Sequence, residues 1–350
     1  MTTRETLTSS TNHNTPKLAI IGCGAIADTF YLPAFAKIAS SKQNLILVDK
    51  NIDQARKLAE RFGIQNVRSD VRDVLGSVKG AIVAVPHHLH YAIAAEFLSG
   101  GHHVLCEKPL TETTAQAREL TELAYRNKVT LSVNMTRRLM SSSEKVKELL
   151  NVGAIGKLRS MSYIDGAEFN WPTASGFYFD YRLSQRGVLM DIGAHVLDLI
   201  CWWLGGRPEV ISSENDSFGG CEAVSSLRLA HDGCTIDIRM SRLAKLANRY
   251  QIVGEQGRID GAVYRGNVLT VTKGKTSQTI NVGTPTEGMS DYADRLVRNF
   301  IDVIEHGTPP IVAGEHVLNS IELVEEAYSK AKRFSLPWYE VKENAHAIQQ

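Results

Sequence analysis

The strongest constraint on the fold is a short, mostly apolar run that leads directly into a glycine-rich turn. Residues 17–21 predict a strand, and residues 22–27 read Gly-Cys-Gly-Ala-Ile-Ala before a helical pattern that continues to Ile38. In such a turn the first glycine allows the tight bend, the second lets a pyrophosphate approach the backbone, and the alanine lets helix and strand pack closely. We therefore predict a dinucleotide-binding strand–turn–helix unit. The predicted cofactor contacts from this turn are Gly22, Gly24, Ala25 and Ile26.

An acidic residue ends the next predicted strand. Residues 44–48 are mostly apolar, and Asp49 follows them roughly 25 residues after Gly24, near the place of the acid that bonds a ribose 2′-hydroxyl. A carboxylate at this position repels a 2′-phosphate, so we expect NAD(H), with NADP(H) disfavoured. The neighbouring Lys50 leaves NADP(H) open as the less favoured cofactor.

Strands and helices continue to alternate up to about residue 134. The predicted helices span 53–62, 91–98 and 113–126, and the predicted strands span 80–85, 103–106 and 130–134. Alternation at these lengths predicts an α/β fold with a doubly wound parallel sheet. Ligands bind such sheets at the carboxyl ends of the strands. Residues 85–90, 107–109 and 134–138 should therefore share one crevice with the glycine turn.

The second half has a different pattern. Alternating residues predict successive strands over 158–168, 209–216, 223–229, 234–240, 249–254 and 268–272, and helices are predicted over 142–150, 291–305 and 315–334. Strands linked by tight turns predict a large, mostly antiparallel open sheet in an α+β domain. The helices of this domain do not cover both faces of such a sheet, and the uncovered face is expected to pack against a second subunit. We therefore expect a homo-oligomer, either a dimer or a tetramer.

Length and composition limit the remaining possibilities. A chain of 350 residues fits two domains, and we predict a disordered tail at 1–15, an NAD-binding Rossmann domain at 16–135 and an α+β substrate and oligomerisation domain at 136–350. A net charge of +1 does not favour nucleic acid or an anionic membrane as a partner, and no apolar run approaches the length of a membrane span. Five scattered cysteines without a C-x-x-C pair indicate reduced thiols and a cytoplasmic protein without a metal site.

Two polar motifs remain, and the first is Glu107-Lys108-Pro109. Proline disfavours the helical conformation for the residue before it, so Lys108 is expected to be extended just past the strand 103–106. A lysine held there can point into the crevice.

The second motif lies on the helix predicted over 187–203. Asp191, His195 and Asp198 recur at i, i+4 and i+7, which is one helical face. Either aspartate would orient the imidazole and raise its pKa, and His195 would then exchange a proton near neutral pH.

These motifs together resemble the Gfo/Idh/MocA family of nicotinamide-dependent oxidoreductases over nearly the whole chain from Lys17 to about Phe334. The resemblance implies that Lys108 lies beside the nicotinamide and the substrate carbinol, that Asp191 and His195 complete the catalytic site, and that His195 is the acid/base. It also implies a cis bond before Pro109. The further cofactor contacts expected from the matching segments are Pro86, His90, Glu107 and Lys108.

The chain departs from the family pattern at two places. Arg186 stands in Ser184–Gly187, where a glycine run is usual, so we expect Arg186 to enter the pocket. His87 follows Pro86 in place of the usual asparagine, and His87, His88 and His90 lack the companion ligands of a zinc site. The expected substrate contacts are Lys108, Arg137, Arg138, Arg186, Asp191, His195 and Tyr178.

The predicted function is reversible hydride transfer between NAD and a secondary alcohol or ketone of a sugar, cyclitol or sugar-nucleotide substrate. Two alternatives stay open at this point. One is a glycoside hydrolase of the same fold in which NAD acts transiently. The other is a cofactor-sensing regulatory protein without catalysis, although such a protein is expected to have lost Lys108 or His195.

Overall fold

The computed structural model describes residues 16–38, 41–172, 176–177, 180, 183–184, 186–218, 220–264, 266–284 and 286–335, with the side chain of residue 41 excluded. The predicted tail at 1–15 and the predicted substrate contact Tyr178 lie outside the described residues. Among the described helices, none has the length and apolar character needed to cross a membrane.

A six-stranded sheet forms the first layer. Its strands are β1 (Leu18–Ile21), β2 (Leu45–Val48), β3 (Asn66–Arg68), β4 (Gly80–Val83), β5 (His103–Cys106) and β6 (Leu131–Val133). They lie in the order β3-β2-β1-β4-β5-β6, and every pairing is parallel. The predicted doubly wound parallel sheet is confirmed. The order reverses at β1, so the carboxyl ends of β1 and β4 open a crevice between them.

Helices cover both faces of this sheet. They are α1 (Leu32–Ala36), α2 (Ser41–Asn44), α3 (Ile52–Phe62), α4 (His90–Ser99) and α5 (Thr114–Arg126). A π-helical turn, Ala27–Tyr31, precedes α1, where an uninterrupted α-helix was expected. Pro33 follows at the start of α1, and a proline lacks the amide hydrogen that regular α-helical bonding requires.

The second layer is a nine-stranded mixed sheet. Its strands are β7 (Leu158–Gly166), β8 (Glu209–Asn215), β9 (Val224–His231), β10 (Cys234–Ser241), β11 (Arg249–Gly254), β12 (Arg258–Ala262), β13 (Val268–Lys273), β14 (Thr276–Asn281) and β15 (Ala331–Arg333). Their order is β14-β13-β12-β11-β7-β10-β9-β8-β15. The β7–β10 and β8–β15 pairings are parallel and the others antiparallel. The large, mostly antiparallel sheet is therefore confirmed.

Four helices complete the described fold: α6 (Ser141–Asn151), α7 (Val188–Leu204), α8 (Met289–His306) and α9 (Leu318–Ser329). The prediction of a helix up to Phe334 is wrong, because α9 ends at Ser329 and residues 331–333 pair with β8. Sequence reasoning also missed the strands β3, β12 and β14. Two of these lie at sheet edges, where a strand needs little apolar patterning.

The buried core shows which elements pack together. α7 and α9 contribute Val196, Leu199 and Leu323 to a core on one face of the second sheet. α8 instead places Leu296 and Phe300 against the first sheet. The second half of the chain therefore contributes to both layers.

Candidate active site

The glycine turn after β1 has the geometry of a phosphate cradle. Gly22 has a φ of +97°, and a Cβ there would lie 2.3 Å from the carbonyl oxygen of Ala84. A Cβ on Gly24 would meet no atom within 4 Å, so the space above this residue is open. The amide hydrogens that follow a strand in this way bind phosphate groups. These residues therefore fit the pyrophosphate of a dinucleotide.

Asp49 lies beside this turn at the end of β2. Its Oδ2 accepts a hydrogen bond from the Cys23 amide at 2.7 Å, and its Oδ1 accepts one from the Asn51 amide at 2.8 Å. The carboxylate is thus fixed at the edge of the cradle. Arg72 also lines this end of the cavity, but its guanidinium is paired with Asp70.

Lys108 follows β5 and is held by contacts on both sides. The Lys108–Pro109 bond is cis, as the family resemblance implies. His90 contacts the Pro109 carbonyl oxygen through Nδ1 at 2.7 Å and the Val85 carbonyl oxygen through Nε2 at 2.8 Å. The imidazole is completely buried, so His90 links the ends of β4 and β5 from beneath. His90 is absent from the described lining of the cavity.

Glu107 lines the cavity and belongs to a buried hydrogen-bonded group. Its Oε1 accepts from the Tyr31 hydroxyl and from the Asn134 amide, both at 2.7 Å. Burial is the main cause that raises the pKa of Glu107, and these two hydrogen bonds oppose it. The group connects the π-helical turn before α1 with the ends of β5 and β6, next to Lys108.

Asp191 joins the two layers at the cavity. The Lys108 Nζ lies 2.5 Å from its Oδ1, and the Arg242 Nη2 lies 2.5 Å from its Oδ2. Burial raises the pKa of Asp191, but the two cations outweigh burial and hold this pKa far below its usual value. Asp191 is therefore ionised, with one cation on each oxygen.

His195 lies one helical turn after Asp191 and lines the same cavity. Its Nδ1 is buried and has no hydrogen-bond partner among the described residues. Burial, followed by the charges of Lys108 and Arg137, holds its pKa well below the usual value. Asp191 does raise this pKa, as expected, but its effect is smaller than the combined opposing effects, so the net shift is downward.

Asp198 has another partner. Its two oxygens accept hydrogen bonds from Arg138 at 2.6 and 2.7 Å, and both side chains are almost completely buried. The stripe of three polar residues on α7 is thus divided between the cavity (Asp191 and His195) and the interior (Asp198).

Three predicted substrate contacts do not line the cavity that the described residues define. Arg138 is paired with Asp198. Arg137 lies 2.5 Å from the buried Asp165 and donates to the Tyr163 hydroxyl at 3.0 Å. Arg186 donates to the Glu112 carbonyl oxygen at 2.7 Å and stacks on Tyr328. Each of the three guanidinium groups therefore binds other groups of the protein.

Apart from His90 and the undescribed Tyr178, the remaining predicted residues share one cavity of about 1110 Å³. It extends from the glycine turn and Asp49 at one end to Lys108, Asp191 and His195 at the other. Several lining residues were not predicted to be site residues, and they lie on both layers: Gln54, Arg72, Arg242 and Tyr264. Arg242 follows β10, which pairs in parallel with β7, so the carboxyl ends of both strands meet at the cavity. The sequence carried no signal for that parallel pair.

Two protein-family models match this chain. The model of an oxidoreductase family with an NAD-binding Rossmann fold matches residues 17–135, and the GFO/IDH/MocA C-terminal domain matches residues 143–260. The chain belongs to the Gfo/Idh/MocA oxidoreductase family. This Gfo/Idh/MocA member is similar to D-glucoside 3-dehydrogenase of Escherichia coli. The two sequences are 31% identical over 214 aligned residues, and the aligned segment covers 58% of this chain and 57% of that protein.

Other members of the Gfo/Idh/MocA family are also similar. A dTDP-3,4-didehydro-2,6-dideoxy-alpha-D-glucose 3-reductase of Streptomyces violaceoruber is 29% identical over 64% of this chain and 65% of its own length. The chain therefore spans less than two thirds of the length of both these relatives. A 3-ketoreductase from Actinomadura kijaniata, solved with NADP and TDP-benzene, has a TM-score of 0.80 at 22% identity and covers 93% of this chain and 100% of its own. That likeness shows the shared fold.

Proposed function

We propose that this protein catalyses reversible oxidation of a secondary alcohol on a sugar or cyclitol, with NAD(H) as the cofactor. The observation that carries the proposal is that Lys108, Asp191 and His195 line the same cavity as the glycine turn and Asp49. Three relatives named as a D-glucoside dehydrogenase, a sugar-nucleotide reductase and a levoglucosan dehydrogenase support a sugar-like substrate.

His195 has the protonation state needed by a base. Because its pKa is well below the usual value, the imidazole is neutral at physiological pH and accepts the proton of a substrate hydroxyl. In the reverse direction the imidazolium formed this way returns the proton to the alkoxide.

Lys108 and Asp191 control charge at the reacting oxygen. The Lys108 ammonium stabilises the negative charge that develops on the carbinol oxygen. Asp191 holds that ammonium at 2.5 Å and is itself held by Arg242, so the lysine is directed before the substrate binds.

The cofactor would be held by the residues of the glycine turn and by Asp49. When bound, its nicotinamide supplies the site that accepts or donates the hydride. Asp49 favours NAD(H), because its carboxylate, fixed by the Cys23 and Asn51 amides, repels a 2′-phosphate. An arginine at this end of the cavity could bind the 2′-phosphate of NADP(H). Because Arg72 is paired with Asp70, this pairing also supports NAD(H).

The test is a screen of sugars, glycosides, inositols and sugar nucleotides for NADH formation at 340 nm, with product analysis. We expect steady NADH formation with a ketone as the product. Freed sugar without net NADH would favour NAD-assisted glycoside cleavage. Tight NAD(H) binding without turnover of any compound would favour a cofactor-sensing protein.

We also propose that the protein is a cytoplasmic homo-oligomer. All five cysteines are free thiols, which suits a reducing compartment. On β10, Thr235, Asp237 and Arg239 are exposed on the sheet face opposite the core of α7, and a second copy is the expected cover. Sedimentation velocity tests this proposal, and a stable monomer at micromolar concentration would contradict it.

A further inference from the structure

Some of the cavity lining that the proposed chemistry does not use is aromatic. Phe169, Trp171 and Tyr264 line the cavity together, and we call these three residues the aromatic rim. Trp171 is 38% exposed and Tyr264 is 54% exposed. Since these rings line the cavity and also contact solvent, the rim lies where the cavity opens. Large exposed aromatic surfaces at such a position mark a binding surface.

The Tyr264 ring is fixed by groups below it. Its hydroxyl donates to Asp165 Oδ1 at 2.6 Å. Asp165 is completely buried and lies 2.5 Å from Arg137, whose guanidinium carbon is 5.8 Å from the centre of the Tyr264 ring. A buried ion pair thus positions a half-exposed ring. This arrangement gives Arg137 a role in the site without direct contact with the substrate.

Phe169 is fixed in a similar way. The guanidinium carbon of Arg242 lies 5.4 Å from the centre of its ring, and the Phe169 amide donates to the Arg242 carbonyl oxygen at 2.9 Å. Arg242 also holds Asp191, so a single residue connects the reacting groups to the rim. A substrate that occupies both places must extend from the Lys108 ammonium to the open end of the cavity.

The charge of the lining indicates which extended substrate fits. Lys108 and Arg242 share the single carboxylate of Asp191, and the exposed Glu168 precedes Phe169 at the rim. The predicted substrate contacts Arg137, Arg138 and Arg186 do not line the described cavity. Among the described residues, a nucleotide diphosphate at the rim would therefore face Glu168 and Arg242, and Arg242 is already paired with Asp191.

We propose that the aromatic rim is a second subsite that binds the uncharged, planar aglycone of a glycoside while the sugar ring reacts at Lys108 and His195. This inference rests on the proposed function and names its substrate class. The preferred substrates are aryl glycosides, and free monosaccharides and sugar nucleotides are weaker ligands.

The test is calorimetric titration of the NADH-loaded protein with matched pairs of glycosides. Methyl and 4-nitrophenyl glycosides of glucose, galactose and xylose are compared, with dTDP-glucose as a third arm. We expect at least one 4-nitrophenyl glycoside to bind about 3- to 10-fold more tightly than its methyl partner, since one aromatic pair contributes about 0.5–1.5 kcal/mol. The variants Trp171→Ala and Tyr264→Leu should each lose most of that advantage, measured as the ratio of the affinities for the two glycosides of a pair.

Tyr125→Ala is the matched control, because Tyr125 is an 85% exposed aromatic residue on α5 and should leave the advantage intact. The proposal is overturned if no 4-nitrophenyl glycoside binds more tightly than its methyl partner, if dTDP-glucose binds most tightly, or if both rim variants keep the full advantage. Turnover of methyl glycosides without any preference for aryl glycosides would refute the aromatic subsite and leave the proposed function intact. Absence of turnover with every sugar would instead count against the proposed function.

Discussion

The Nζ of Lys108 lies 2.5 Å from Oδ1 of Asp191, although 83 residues separate them in the chain. Lys108 follows β5 of the first sheet and Asp191 lies in the first turn of α7 in the second layer, so this ion pair crosses the boundary between the layers. The side chains are only 15% and 16% exposed. Asp191 thus orients a lysine that the first layer alone would leave free to rotate.

The Lys108→Ala variant tests the role of this amino group. We expect turnover to fall by about 10²-fold or more, because the developing alkoxide loses its charged partner, and NADH affinity to stay within about twofold. Steady-state kinetics and NADH fluorescence titration measure the two quantities. Lys57→Ala, at an exposed position on α3, is the control. Turnover close to that of the parent would refute the assignment.

The pH dependence of alcohol oxidation reports on His195. A base must be unprotonated, and burial holds the pKa of His195 well below its ordinary value of 6.5. We expect kcat/KM to stay level as the pH falls through 6.5 and to decrease only at more acidic pH. His195→Asn should lower the plateau by about 10²-fold, whereas the exposed His88→Asn should leave the profile unchanged. A decrease centred at 6.5 would show that burial does not control this group.

Cofactor choice should depend on Asp49. In Asp49→Ser the repulsion of a 2′-phosphate is removed and the hydrogen bond to a 2′-hydroxyl is weakened, so the ratio of kcat/KM for NAD over NADP should fall on the order of tenfold, or ~1.4 kcal/mol. The ratio is measured with both cofactors under the same conditions. Asp53→Ser, at an exposed residue paired with Arg56, should not alter it. A parent enzyme that prefers NADP would contradict the assignment directly.

Arg138 should matter for stability. In Arg138→Met the buried Asp198 loses its cation. Removal of one partner from a buried ion pair lowers the free energy of unfolding by about 3–5 kcal/mol. Urea unfolding measures this loss. Arg126→Met removes an exposed pair with Glu122 and should cost no more than about 0.5 kcal/mol. If the two variants unfold at the same urea concentration, the buried pair contributes no more than the exposed one.

Much of the site was predictable, because short motifs fixed its key residues. The glycine turn and the segment around Lys108 each follow a strand of a parallel sheet, so topology alone brings them to one edge. The spacing of Asp191 and His195 predicted a shared helical face, and both line the cavity.

The predictions for Arg137, Arg138 and Arg186 rested on their positions in loops. A sequence does not show whether a cation after a strand points to a ligand or to a buried carboxylate. Arg138 pairs with Asp198, 60 residues away, and that pairing depends on how α7 packs. The pKa of His195 was predicted in the wrong direction for a related reason, since burial is a property of the whole fold.

The position of α8 has a practical consequence for dissecting this protein. Leu296, Val297 and Phe300 belong to the core that covers Leu18 and Ile20 of β1, yet they come from the last fifth of the chain. A fragment that ends near residue 135 would expose that apolar surface to water and is expected to aggregate on expression. Cofactor-binding studies on an isolated nucleotide domain would require a fragment in which α8 is joined back to the first 135 residues by a designed linker.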